Sequence, residues 1–173
     1  MKEYKSPVAA LLWSITMAGF GQYYNGQYII GTILFASEIL INNFSGINWS
    51  IFFSFFGSWN ESYETFNLQA GLFYPSVYYF SIWQAYNKAF VINCHQDNRN
   101  PPKETYLTGF FFGNVIGMNL GVYWKPIKVL FSELQSPIFN GLILGIIVGY
   151  IFHQIEKRIE NKKGPNSDFY SHY

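Results

Sequence analysis

The sequence predicts an all-α protein, a polytopic helical membrane protein of about six transmembrane helices with both termini in the cytoplasm. Three observations lead there. Apolar runs without Asp, Glu, Lys or Arg recur along all 173 residues, and long uncharged runs are the sign of spans. Aromatic residues make up 21% and charged residues 12%, whereas soluble domains carry roughly 25% charge. Glycine recurs every fourth residue in the last two runs, the spacing that lets helices approach closely in lipid. A mean hydropathy of +0.07 is low for such a protein. Tyrosine and asparagine account for part of this, since both score as polar although tyrosine suits membrane interfaces. The alternative is an aromatic-rich soluble helical protein, and the uncharged runs argue against it.

Ser6-Pro7 opens the first run, Val8 to Phe20. Ser6 can cap the helix, and Pro7 stands where a missing N–H costs nothing. The run is short of the roughly 30 Å hydrocarbon core, so it spans only if it extends through the following turn or the bilayer thins. Lys2 and Lys5 ahead of it resemble a signal peptide. With no small-x-small cleavage site and a second run at once, it reads as an uncleaved first span. The second run, Tyr28 to Ile41, carries Glu38. After the polar break 42–46, Ile47 to Phe56 is a third span or an interfacial helix. The segment Gly57 to Asn67 is polar and acidic. Leu68 to Ile92 is a long run that Pro75 should kink. Asn93 to Glu104 is a loop. Tyr106 to Trp124 is the fifth span, Lys125 to Ser136 a loop or surface helix, and Pro137 to Ile155 the last span, continued by charged residues to Lys163. Residues 1–164 thus form one helical membrane domain, with an N-terminal hairpin (5–42), a glycine-ladder hairpin with a cytoplasmic helical end (106–163), and a disordered tail (165–173).

Charge bias sets the parity. With six spans, Lys2, Lys5, Lys88, Arg99, Lys103, Lys157, Arg158, Lys162 and Lys163 lie inside, and Lys125 and Lys128 outside, as the positive-inside rule requires. The formal charge of +1 excludes a strongly basic nucleic-acid binder. The one cysteine, Cys94, excludes an intramolecular disulfide.

Between the first two runs stands Gly19-Phe20-Gly21-Gln22-Tyr23-Tyr24-Asn25-Gly26-Gln27-Tyr28, followed by Gly31. Glycines and the Asn-Gly pair read as a tight turn, and tyrosines suit a membrane surface. The pattern Gly-x-Gly-Gln-Tyr-Tyr-x-Gly resembles the signature of a small domain family of two transmembrane helices joined by a glycine–aromatic turn. Gly19, Gly21, Tyr23, Tyr24, Gly26 and Gly31 match its core. Gln22 stands where members often have histidine, and Gln27 where they often have a basic residue. The likeness covers residues 5–42 and implies a membrane hairpin without a particular reaction. The whole chain looks similar to uncharacterised multi-pass membrane proteins of Gram-positive bacteria.

Gly109, Gly113, Gly117 and Gly121 form one ladder, and Gly141, Gly145 and Gly149 a second. They read as packing faces for each other, or with one stripe left for a second copy. Glu38 is the foremost candidate for a site, because an ionisable group in a span is costly. His153 could take up a proton near neutral pH, though a place at the interface is the plainer reading. Gln84 and Asn87 read first as interhelical hydrogen-bonding groups. Cys94-His95-x-Asp97 carries ligand-type side chains without a metal-site spacing. No nucleophile elbow, phosphate loop or paired carboxylates appear, so neither an enzyme nor a cofactor is expected. The leading expectation is a non-enzymatic membrane protein that contacts the bilayer, itself or another membrane protein, and no nucleic acid. The others are a small transporter or channel using Glu38, Gln84 and Asn87, and an immunity or membrane-stress protein.

Overall fold

The computed structural model describes residues 3–101, 105–123 and 136–162, and among these every regular element is helical. The helices are α1 (Pro7–Thr16), α2 (Phe20–Tyr24), α3 (Tyr28–Ser45), α4 (Ile47–Phe55), α5 (Trp59–Thr65), α6 (Leu68–Gly71), α7 (Tyr74–Gln96), α8 (Thr108–Tyr123) and α9 (Pro137–Lys162). Two of them, α3 and α9, are long and apolar enough to cross a membrane. The segment around Lys125 and Lys128 and the tail 165–173 lie outside the described residues.

Both serine–proline openings act as caps. Ser6 Oγ accepts from Ala9 N at 3.2 Å, and Ser136 Oγ from Ile138 N at 3.1 Å and Phe139 N at 3.3 Å. Pro75 departs from expectation. It kinks nothing, because the chain breaks ahead of it and α7 begins at Tyr74, with the proline in the first turn where its missing N–H has no role. Helix α7 also continues to Gln96, into the expected loop. Helix α4 has 9 residues, about 13 Å of rise, too short for a span; α5 folds back against it from the polar 57–67 segment.

The larger difference is direction. Lys5 N donates to Asn93 Oδ1 and Asn93 Nδ2 to Lys5 O, both at 2.8 Å, while Tyr78 OH donates to Ile15 O at 2.7 Å. Helix α1 therefore runs antiparallel to α7. At Met17 the backbone is extended, and Gly19 is left-handed at φ 97, which a residue with a β-carbon rarely adopts. Helix α2 then climbs back: Asn25 Nδ2 reaches Ala85 O at 2.8 Å, and Gln84 Nε2 reaches Gln27 Oε1 at 3.2 Å. Helix α3 descends again, bringing Glu38 to Tyr74. So α1 and α3 run the same way, and in place of the expected hairpin of two antiparallel helices the chain dips along α7 with α1, climbs partway back with α2 and descends again with α3. Over its 18 residues α3 covers about 27 Å.

Beyond the dip the course is simple. Helix α8 returns antiparallel to α7, with Asn87 beside Tyr106 and Tyr79 beside Phe111, and α9 runs antiparallel to α8. Lys5, Lys88, Arg99, Lys157 and Arg158 gather toward one end, here the terminal end. There Asp97 accepts from Tyr4 OH at 2.5 Å and pairs with Arg99 at 2.6 Å; the bond to the carboxylate holds the Tyr4 phenol above its ordinary range. At the distal end lie α4, α5, α6 and the start of α9.

The two glycine ladders face each other. A β-carbon on Gly109 would stand 2.7 Å from Phe152 O, one on Gly113 2.7 Å from Val148 O, one on Gly117 2.9 Å from Gly145 Cα, and one on Gly121 2.7 Å from Gly141 Cα. The reverse ladder is looser. A β-carbon on Gly141 or Gly145 meets its nearest neighbour at 3.2 Å, in both cases a side-chain atom, and Gly149 is shaped around Asn114.

Candidate functional site

The dip of α1 and α2 leaves backbone N–H groups at its tip with no helical partner. Side chains supply the partners. Glu38 Oε2 accepts from Ala18 N at 2.5 Å, and Ser81 Oγ accepts from Gly19 N at 3.0 Å. Glu38 is 5% exposed, and its Oε1 accepts from Tyr74 OH at 3.4 Å. The carboxyl group thus sits among neutral donors.

Gln22 holds the middle of the dip. It is 0% exposed. Its Nε2 donates to Ser81 O and to Gln84 Oε1, each at 2.8 Å, and its Oε1 accepts from Ser81 Oγ at 3.0 Å. Gly21 makes this possible, since a β-carbon there would lie 2.7 Å from Ala85 Cβ and nearer still to Ala10 O. The tyrosines of the turn fasten its edges: Tyr23 OH is 3.0 Å from Thr32 Oγ1, and Tyr24 OH accepts from Ser6 N at 3.0 Å. Gly26 is left-handed at φ 77 with open space around it. Gly31 gives Tyr23 room, its β-carbon position falling 2.8 Å from the ring.

The candidate polar residues do not converge. Glu38 caps the dip, Gln84 bonds Gln22 and Gln27, and Asn87 binds the start of the α8 segment through Tyr106 N at 2.6 Å and Tyr106 O at 3.0 Å. His153 stands apart on α9, 3.4 Å from Glu156 Oε2. A small cavity of about 20 Å³ is lined by Ile47, Phe66, Tyr74, Asn119, Val122 and Ile138 among others, and not by Glu38. The arrangement needed for a path through Glu38, Gln84 and Asn87 is therefore absent among the described residues. No group of three metal-ligating side chains occurs among them.

A second polar cluster was not anticipated. Ser50, Ser54, Ser62 and Ser136 are all 0% exposed. Ser54 Oγ is 2.5 Å from Ser136 Oγ and 2.8 Å from Ser62 Oγ, and Ser62 Oγ is 2.9 Å from Ser50 Oγ. One set of proton positions passes donors from Ser136 to Ser54, Ser62, Ser50 and finally Ser62 O, which satisfies every hydroxyl. Ser50-x-x-x-Ser54 and Ser58-x-x-x-Ser62 carry the small-residue spacing of the glycine ladders, and that was the readable signal. Ser81, Tyr74 and Gln27 were also missed, because their partners lie about sixty residues away or on another helix.

No family model, curated protein or solved structure matches the chain.

Proposed function

We propose that the chain is a non-enzymatic integral membrane protein that holds or positions another membrane component. In this reading α3, α7, α8 and α9 cross the bilayer. Helices α1 and α2 enter from the terminal side and return to it, and α4 and α5 lie at the opposite surface. The supporting observation is a distribution of polarity inverted with respect to water. The fully buried side chains include Gln22, Asn114, Ser14, Ser45, Ser50, Ser54, Ser62, Ser81 and Ser136, while Ile29, Ile33, Leu12, Phe112, Ile146 and Ile151 are exposed. Exposed apolar surface on this scale has no place in a monomer in water, whereas lipid solvates it and polar groups turn inward to one another. Trp49, Phe52 and Phe55, exposed on α4, and Phe56 just after it suit the interfacial layer.

This placement uses four crossings rather than six and leaves the charge bias intact. Both termini and the loop bearing Arg99 share one side, the cytoplasmic one by the positive-inside rule. Irregular backbone within the bilayer is tolerated where protein satisfies it, as Glu38 and Ser81 do for the dip. In this reading the glycine–aromatic turn forms a dip, where the likeness of residues 5–42 to the two-helix family implies a hairpin of two spans.

Gel filtration tests the solvent directly. The expected result is a monodisperse protein only in detergent or nanodiscs, with mild-detergent pull-down recovering a membrane partner or a second copy; a monodisperse detergent-free protein overturns the reading.

A further inference from the structure

Helical register sets the heights of the charged side chains at the terminal end. Asn87 bonds both Tyr106 N and Tyr106 O, and a β-carbon on Gly109 would stand 3.1 Å from Glu156 Cβ. Lys88 and Lys157 therefore share one level, and Arg158 stands about 1.5 Å beyond it. Five residues below Lys88 on α7, about 7 Å, Trp83 Nε1 donates to Thr108 Oγ1 at 3.2 Å, and Gln84 Nε2 beside it to Gln27 Oε1 at 3.2 Å. Such a layer of indole and polar groups marks the edge of a bilayer, which puts the three cations at the height of lipid headgroups. They also differ from their basic neighbours. Lys5 pairs with Glu3 at 2.5 Å and Arg99 with Asp97 at 2.6 Å. Among the described residues no acidic side chain pairs with Lys88, Lys157 or Arg158. Glu156 turns to His153, and Glu160 lies about 3 Å further out along α9 than Arg158.

We propose that Lys88, Lys157 and Arg158 select anionic phospholipid headgroups in the leaflet at the terminal end, an inference that rests on the membrane placement above. Charge complementarity and spread favour that occupant. Lys157 and Arg158 are exposed and Lys88 is half-buried. Lys88 lies one turn beyond Gln84, on the side of α2 and α3, whereas Lys157 and Arg158 lie on α9, across α8 from α7. An anionic leaflet brings separate negative charges all round the protein at that one height; a soluble anion or a single acidic peptide would meet one side only. The two edges of the molecule also differ in sign. No lysine or arginine occurs between Lys5 and Lys88, and among the described residues the distal edge carries the exposed Glu61 and Glu64 and no cation. Anionic lipid is thus drawn to the terminal edge.

The test reconstitutes the full chain in phosphatidylcholine vesicles carrying a trace of spin-labelled phosphatidylglycerol or spin-labelled phosphatidylcholine. Electron spin resonance separates lipid immobilised on the protein from free lipid, and the ratio of the two association constants measures selectivity. At low salt phosphatidylglycerol should be favoured about fivefold, equivalent to roughly 1 kcal/mol for a basic side chain at an anionic surface. The preference should fall toward one in about 1 M salt, where charges are screened beyond about 3 Å, and in the combined variant Lys88→Gln, Lys157→Gln and Arg158→Gln. Unchanged immobilisation of phosphatidylcholine shows that the variant has inserted. If the combined variant does not insert, Lys157→Gln with Arg158→Gln, both at exposed positions, should lower the preference at least about twofold. Equal association of the two lipids at low salt, or a preference that survives the salt or the substitutions, overturns headgroup selection while leaving the membrane placement standing. Absence of any immobilised lipid around the unsubstituted chain overturns the placement itself.

Discussion

The two halves of the molecule join their helices by different means. In the N-terminal half, α1, α2 and α3 meet α7 through hydrogen bonds among Glu38, Gln22, Ser81, Gln84, Asn25 and backbone groups. In the C-terminal half, α8 meets α9 through glycine, backbone against backbone, with Gly117 on Leu144 and Gly145. The proposed bilayer explains why the buried apolar clusters are small, Ala10, Ala85 and Ala89 in one place and Ile47, Phe66, Val122 and Ile138 in another. Between helices in lipid there is no hydrophobic drive, so association rests on close packing or on interhelical hydrogen bonds. An irregular dip exposes amides and needs the second device; two regular helices need only the first. The half with broken helices is therefore polar inside, and the half with intact helices is narrow.

That contrast ranks the substitutions. Gly117→Leu should be the most damaging, since even its β-carbon collides with the Leu144 backbone. A loss of about 3 kcal/mol or more follows from overpacking that cannot relax, read as a collapse of thermal stability in detergent. Gly145→Ala meets Met118 Cγ at 3.2 Å, Asn114 Oδ1 at 3.3 Å and Asn114 O at 3.4 Å, none of them a collision, and should lose about 1 kcal/mol. Equal losses for Gly117→Ala and Gly145→Ala would contradict the asymmetry of the two ladders.

In the other half, Glu38→Leu strands Ala18 N–H and Tyr74 OH. The expected loss is about 1–3 kcal/mol, and Glu38→Gln, which keeps an acceptor for Ala18, should recover most of it. Comparable melting temperatures for the two variants would remove the capping role. Gln22→Leu, which deletes the bonds to Ser81 and Gln84, should cost about 1–2 kcal/mol by the range known for hydrogen bonds between membrane helices. Gly26→Ala should be mildest among the turn residues. Nothing lies within 4 Å of its β-carbon position, so only the left-handed backbone opposes it, about 1 kcal/mol; a larger drop would point to a contact the structure lacks.

Much of the fold was legible because it follows from local chemistry. The caps Ser6 and Ser136, the uncharged runs and the spacing of the glycines each carry their meaning within a few residues. The direction of α3 did not. It depends on a left-handed Gly19 and on Gln22 finding Ser81, and a glycine-rich turn reads the same whether the chain reverses fully or halfway. Pro75 was misread for a related reason: a proline inside an apolar run implies a kink unless the chain has already broken, as it has around Leu72–Phe73. Glu38 stood out as an ionisable residue in an apolar run, but its task was hidden, because the amide it caps lies twenty residues earlier, in the turn between α1 and α2.

Accessibility of single cysteines separates the four-crossing course from six spans. In a Cys94→Ser background, Asn43→Cys at the end of α3 and Asn100→Cys after α7 are labelled in intact cells with a membrane-impermeant maleimide. The four-crossing course places them on opposite sides of the bilayer, Asn43→Cys reacting from outside and Asn100→Cys only after lysis. Six spans would put both positions inside, so protection of Asn43→Cys together with Asn100→Cys until lysis would contradict the half-depth dip.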